Sequence, residues 1–264
     1  MNLPIFSPHD DPGPDFARLA ARAGLVAQPV GDGDRLDLPH GTTCVALRYD
    51  DGVVIGGDRR ATSGNLISYR TMQKVFPSDR HSAVAIAGAA GTAVEMVRLF
   101  QLQLEHYEKV EGKALSLDGK ARQLAGLLRQ NLPAARIGMV VVPLFAGFDQ
   151  ASERGRLFQF DVSGGTYEEL EYAVTGSGSL HASTVLKLDY REGHDRDAAI
   201  DLAIKSLYMA ADEDSATGLP DFLRGLFPVI ATVSAEGYQE LDDDDIRARS
   251  QSLVDELADR GLPT

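Results

Sequence analysis

The chain holds a single cysteine and no tryptophan, and no stretch of it stays apolar for long. With Cys44 alone, there is no intrachain disulfide framework. Set within an apolar alternation, Cys44 reads as a small buried strand residue rather than a nucleophile, and a reducing cytoplasm is the simplest setting. The modestly apolar segment at 19–30 follows Asp10, Asp11 and Asp15 without a basic lead, unlike a secretory signal. Nothing approaches the ~18 consecutive apolar residues of a membrane span, so no membrane partner is expected. Positive charge is also short. A net charge of −13 leaves no basic stripe to displace counterions from phosphates, which argues against a nucleic-acid partner. The six histidines show no metal-ligand spacing, His106, His181 and His194 reading as surface groups, and no cofactor is expected. No period of about 20–50 residues repeats, which excludes a solenoid.

What is present suits a large core: 264 residues, 44% hydrophobic and 25% charged. The first 41 residues stand apart. They contain six of the twelve prolines, with Gly31, Gly33 and Gly41 among aspartates. Such a stretch buries too little apolar area to offset the entropy of ordering it, beyond a short helix over 15–27. It reads equally well as a loose tail or as a propeptide ending at Gly41.

From Thr43 the pattern becomes that of strands. Val45, Leu47 and Tyr49 alternate with Cys44, Ala46 and Arg48, and Asp50-Asp51-Gly52 turns the chain into Val53-Val54-Ile55. This predicts a β-hairpin, with Gly52 supplying a positive φ and Asp58 returning beside the hairpin's start. Further strands are predicted at 65–70, 73–77 and 82–87, the last buried on both faces. Helices follow at 91–109 and at 117–131, the second stopping ahead of Pro133. Strands recur at 137–144, 156–162 and 168–174. Helices at 178–189 and 196–211 come next, then strands at 227–233 and 237–240. A closing helix begins in the acidic run 242–245, which reads as a helix start rather than a metal site. Hairpin-linked strands followed by paired helices predict antiparallel sheets covered by helical layers, an α+β sandwich.

Gly41-Thr42-Thr43 carries the most chemistry. By itself the tripeptide is a common strand opening. Cut between Gly41 and Thr42, it leaves one residue holding both a hydroxyl nucleophile and a free amine base. A freed α-amino group titrates at about 7.7–8, so near neutral pH a useful fraction can accept the hydroxyl proton. Glycine before the threonine leaves that carbonyl open to attack.

The ordered set of segments is more specific. Gly41-Thr42-Thr43, Gly57-Asp58-Arg59-Arg60-Ala61-Thr62, Lys74-Val75 and Ala87-Gly88-Ala89-Ala90-Gly91 are followed by Gly176-Ser177-Gly178-Ser179 and Asp214-Ser215-Ala216-Thr217-Gly218. In these the chain resembles proteasome β-subunits of the actinobacterial kind, over essentially all of 42–260. The resemblance implies an N-terminal-nucleophile hydrolase, a four-layer αββα sandwich of two antiparallel sheets. It implies a propeptide at 1–41, removed by self-cleavage, and a catalytic domain at 42–264. Thr42 is implied as nucleophile and, through its amine, base; Asp58 holds Lys74, and Lys74 puts positive charge near the hydroxyl. Ser177 and Asp214 complete a hydrogen-bonded shell around the amine, and Gly88 offers an N–H to the oxyanion. Thr217 stands where the family commonly has serine, with the hydroxyl kept and its hydrogen bond expected to survive. The chain also runs longer than many relatives between Gly88 and Ser177, which places a longer loop in 145–156. Ala61, Met72, Ile86 and Ala90 are implied as an apolar pocket for the residue before the scissile bond. Backbone groups of Thr62, Gly88 and Ala90 would pair with an extended substrate.

The implied partners are proteasome α-subunits, other copies in a seven-membered β-ring stacked on a second, unfolded protein substrates, and an ATP-dependent ring that feeds tagged proteins. Three rival readings stand beside this one. They are an HslV-type two-component protease subunit, a self-processing small-molecule amidohydrolase, and a ring subunit with an inactive site. The 41-residue leader counts against the first, and the set Thr42, Asp58 and Lys74 counts against the last.

Overall fold

Alternation sets the faces of the first hairpin. In β1 (Thr43–Tyr49), Cys44 and Ala46 face one way, while Val45, Leu47 and Tyr49 face the other. β2 (Gly52–Gly57) pairs antiparallel with it, Cys44 opposite Gly57 and Tyr49 opposite Gly52. These assignments come from a computed structural model that describes residues 41–64 and 66–261. The leader over 1–40, with its predicted helix at 15–27, lies outside the described residues.

The remaining elements run in chain order. β3 (Ala61–Ser63) and β4 (Leu66–Tyr69) form a small separate hairpin. β5 (Val75–Asp79) and β6 (Ser82–Gly88) lead to α1 (Ala90–Glu111) and α2 (Leu117–Ala135). β7 (Val141–Asp149), β8 (Arg154–Phe160), β9 (Thr166–Glu169) and β10 (Tyr172–Gly176) follow. Then come α3 (Ser179–Asp189), α4 (Arg196–Glu213), β11 (Val229–Ser234), β12 (Gly237–Glu240) and α5 (Asp243–Asp259). One five-stranded sheet has the order β10-β1-β2-β11-β12 and the other β5-β6-β7-β8-β9, with every pairing antiparallel.

Three apolar clusters separate the layers. Between the sheets, Cys44, Ala46 and Ile55 meet Ala83, Ala85, Leu144 and Leu157. Outside the first sheet, Val45, Leu47 and Val54 pack on Leu186, Ile200, Ile204, Leu207 and Leu253 of α3, α4 and α5. Outside the second, Val84, Ile86 and Phe145 pack on Phe100, Leu124 and Leu128 of α1 and α2. The result is the four-layer αββα sandwich. All of Ala83, Val84, Ala85, Ile86 and Ala87 are buried, because β6 is covered on both faces. Among the described residues no helix is long and apolar enough to cross a membrane.

Several expectations need correction. Gly52 does not adopt a left-handed backbone; a Cβ there would lie 2.2 Å from the Val233 carbonyl oxygen, so packing requires the glycine. α2 runs through Pro133 to Ala135, because a proline so near the end forfeits only one hydrogen bond. Residues 136–140 do not begin a strand. Ile137 and Met139 donate to the Ala134 carbonyl, closing the helix end, and β7 starts at Val141. The stretch 145–156 is no long loop either: Phe145 pairs with Phe158 and Gly147 with Arg156 across a tight β7–β8 hairpin. The single strand expected at 168–174 is two, β9 and β10, which belong to different sheets. Asp242 caps α5 by accepting from the Asp245 N–H, as a helix start does.

Candidate active site

The β1–β2 hairpin carries Asp58 back to the first residues of the sheet, where its N–H donates to the Thr43 carbonyl at 3.2 Å. Its carboxylate is then fully occupied. Oδ1 accepts from the Thr43 N–H at 2.9 Å and from Lys74 Nζ at 2.7 Å. Oδ2 accepts from the Arg60 N–H at 2.8 Å and the Gly218 N–H at 2.9 Å. The pair is dry, with Asp58 0% and Lys74 1% exposed. A charge pair so deeply buried survives only when its remaining hydrogen-bonding capacity is met. The ammonium meets that condition: it also donates to the Arg60 carbonyl at 2.5 Å and reaches the Gly41 carbonyl at 3.5 Å. The Ile86 N–H, bonded to the Lys74 carbonyl at 2.9 Å, fixes the lysine backbone against β6.

Thr42 stands just outside the sheet, 5% exposed. Its Oγ1 donates to the Gly41 carbonyl oxygen at 2.6 Å, the same oxygen that Lys74 approaches. Gly41 must be glycine here, since a Cβ would meet Ala216 Cβ at 2.2 Å and Thr62 Oγ1 at 2.5 Å. On the other side, the Thr42 N–H donates to Ser177 Oγ at 3.3 Å, and the Thr42 carbonyl accepts from the Ser177 N–H at 2.8 Å. That approach depends on Gly176, whose φ is +101°, and a Cβ there would sit 1.9 Å from the Thr42 carbonyl oxygen.

Ser177 leads into α3, and Asp214 is the C-cap of α4. The two elements pack side by side, and their ends meet next to Thr42. Asp214 Oδ2 accepts from Ser177 Oγ at 2.5 Å and from Thr217 Oγ1 at 2.6 Å. Ser177 is exposed and Asp214 half-buried, whereas Thr217 is sealed off. The threonine hydroxyl thus bonds the Asp214 carboxylate, so a hydrogen bond is kept at this position.

The other predicted residues lie on the elements around this centre. Gly88 ends β6 with φ +110°, where a Cβ would lie 2.1 Å from the Val140 carbonyl oxygen, and Ala90 opens α1. Ala61 is buried, and half-buried Met72 donates its N–H to the Arg59 carbonyl at 3.0 Å. Ile86 is buried in the apolar cluster beneath α1. Thr62 faces the Gly41 backbone. Cys44 lies beneath the pair, its Sγ 3.5 Å from the Ile86 carbonyl oxygen. Burial pushes its thiol up to about 12, against the pull of the Lys74 charge. Among the described residues no three or more histidines, cysteines, aspartates or glutamates gather as a metal site.

Comparison with known proteins fits this architecture. A sequence profile described as Proteasome subunit matches residues 38–220. The chain belongs to the proteasome subunit family. A proteasome subunit beta of Acidimicrobium ferrooxidans is 57% identical over 263 residues, covering 99% of this chain and 96% of the relative. The protein of that name from Streptomyces griseus is 52% identical, covering 83% and 78% respectively. That from Stackebrandtia nassauensis is 53% identical, covering 86% and 83%. The chain is a β-type subunit of the bacterial proteasome kind, and its activity is that of a threonine protease.

Within this proteasome-type centre, sequence reasoning missed the amide donors of Arg60 and Gly218 to Asp58, and it missed Thr43 altogether. Backbone donors leave no residue signature. The Thr43 side chain had one: along a strand, alternate residues share a face, so Thr43 must point with Val45 and Leu47 toward the helices. There its Oγ1 lies 2.5 Å from Thr217 Oγ1 and accepts from the Gly178 N–H at 3.1 Å.

Proposed function

We propose that residues 1–41 are a propeptide, and that the chain becomes a peptidase when its own Thr42 cleaves the bond to Gly41. The observation that carries this reading is the Gly41 carbonyl, held between the Thr42 hydroxyl at 2.6 Å and the Lys74 ammonium. Attack of Oγ on that carbonyl carbon forms an ester as the carbon–nitrogen bond breaks, and the hydroxyl proton ends on the new amine. Water then hydrolyses the ester and releases the leader. Cleavage and activation are one event, because the amide nitrogen of the uncut chain cannot serve as a base.

In the mature enzyme the Thr42 amine takes the proton of its own hydroxyl, and Oγ attacks a substrate carbonyl. Lys74, ion-paired with Asp58, stabilises negative charge developing on Oγ. Ser177, Asp214 and Thr217 hold the amine and the water that follows. The Gly88 N–H receives the oxyanion of the tetrahedral intermediate. Backbone groups of Thr62, Gly88 and Ala90 align the substrate as an added strand, and Ala61, Met72, Ile86 and Ala90 favour an apolar residue before the scissile bond.

The catalytic domain then spans 42–264, works in the cytoplasm and assembles as a seven-membered β-ring stacked on a second, capped by α-subunits. An ATP-dependent ring supplies unfolded, tagged proteins. Confinement keeps a nonspecific peptidase away from folded neighbours. Thr42→Ala tests the core of this: the assembled variant should keep its leader and hydrolyse no peptide. Peptide turnover by that variant would remove Thr42 from the reaction.

A further inference from the structure

Resting on that reading of Thr42, we propose that Thr43 is a positioning residue for the peptidase reaction. Its hydroxyl pins the loop bearing Ser177 and the loop bearing Asp214 and Thr217 to the strand that carries the nucleophile.

Counting protons fixes the direction of the bonds. An ionised carboxylate only accepts, so Thr217 spends its one proton on Asp214 Oδ2 at 2.6 Å. Toward Thr43 it can therefore only accept, and the 2.5 Å contact is a bond from Thr43 Oγ1 to Thr217 Oγ1. Thr43 Oγ1 in turn accepts from the Gly178 N–H at 3.1 Å. The chain runs one way: Gly178 N–H to Thr43, Thr43 to Thr217, and Thr217 to Asp214. Thr43 and Thr217 are both 0% exposed, so water cannot replace either hydroxyl. Gly178 is shaped for the contact, since a Cβ there would lie 2.3 Å from Thr43 Oγ1.

Thr43 consequently touches both halves of the centre. Its main-chain N–H donates to Asp58 Oδ1 at 2.9 Å, while its side chain orders the hydroxyls leading to Asp214. Valine in its place keeps the shape and the main-chain bond but strands the Gly178 N–H and leaves Thr217 without a donor. Ser177, next to Gly178, and Asp214 then lose their common reference, and the freed Thr42 amine loses its fixed partners. Substrate contacts on the β3–β4 and β6–α1 side stay as they were.

The test is steady-state hydrolysis of a short peptide with an apolar residue before the scissile bond, by assembled particles of the full-length chain. Thr43→Val should lower kcat by roughly 10–100-fold with KM held within about twofold. Thr43→Ser, which restores the hydroxyl, should recover kcat to within about threefold of the parent. Combined with Thr217→Val, Thr43→Val should lose little beyond Thr217→Val alone, because both break one chain. The proposal is overturned by a native kcat in Thr43→Val, by a loss that serine does not recover, or by losses that multiply. Should Thr43→Val fail to assemble, Thr43→Ala removes the same hydroxyl without adding bulk: a kcat loss at constant KM that Thr43→Ser does not show supports the proposal, and a native kcat overturns it. Thr42→Ala, run alongside, separates the two claims. Turnover surviving in that variant defeats the nucleophile assignment itself, whereas an inactive Thr42→Ala beside a native Thr43→Val defeats only the role of Thr43.

Discussion

Thr42 stands between two polar groups built on opposite plans. On one side, Asp58 and Lys74 are sealed from water and saturated, with two main-chain amides on one carboxylate oxygen and an amide and the ammonium on the other. On the other side, Ser177 and Asp214 meet solvent, and the carboxylate accepts directly from the Ser177 and Thr217 hydroxyls. The contrast separates two tasks. A fixed positive charge beside Thr42, the proposed nucleophile, needs an environment that never changes. A base that takes up and returns a proton, the task proposed for the Thr42 amine, needs polar partners held in place and access to water.

Breaking the dry side should do the most damage. Lys74→Ala leaves a buried carboxylate without its counter-charge, which costs about 3–5 kcal/mol, and turnover should fall by at least ~10³-fold. Denaturant melting and peptide hydrolysis measure the two effects. An unchanged midpoint would mean that the three amides alone hold Asp58, and that the pair is less of an anchor than its burial implies. Sequence reading alone would expect folding to survive this change largely intact; the absence of any solvent contact argues otherwise.

The wet side should respond differently. Asp214→Asn should cost no more than about 1 kcal/mol of stability while lowering turnover by ~10²-fold, since its carboxylate remains in reach of water. The sign of its pH effect follows from charge. On the proposed mechanism turnover should rise with pH as the Thr42 ammonium loses its proton near about pH 8. A neighbouring carboxylate favours the charged ammonium, so removing it should move the acid limb of the profile down by about one unit. A limb moved upward would show that Asp214 does not act on the amine electrostatically.

Cys44 gives the smallest effect. With its thiol pushed up to about 12 and fully buried, it should resist iodoacetamide at pH 8 in the native particle and react only after unfolding. Rapid alkylation without unfolding would show that water reaches the floor of the supposedly dry side.

The two sides also differed in how far they could be read from sequence. The β1–β2 hairpin follows from strict alternation, and this places Asp58 near Thr42 before any coordinates are known. Lys74 is recognisable only through the ordered set of motifs, because an isolated lysine carries no sign of burial. The amides of Arg60 and Gly218 were invisible, since every residue but proline offers the same donor. The switch from β9 to β10 was missed because sheet membership is decided by packing partners far away in sequence, while local β propensity runs on past Glu169. Pro133 misled because one lost hydrogen bond near a helix end is tolerated when the helix is otherwise well packed. Thr43, by contrast, was legible in principle: the period of two that puts Val45 against the helices applies equally to its neighbour.

The account depends on a main-chain nitrogen being released at one defined bond. Intact-mass measurement with amino-terminal sequencing of the active, assembled protein addresses that directly. The predicted result is a chain beginning at Thr42 with residues 1–41 gone. A peptidase-competent particle still joined to its leader through Gly41 would contradict it.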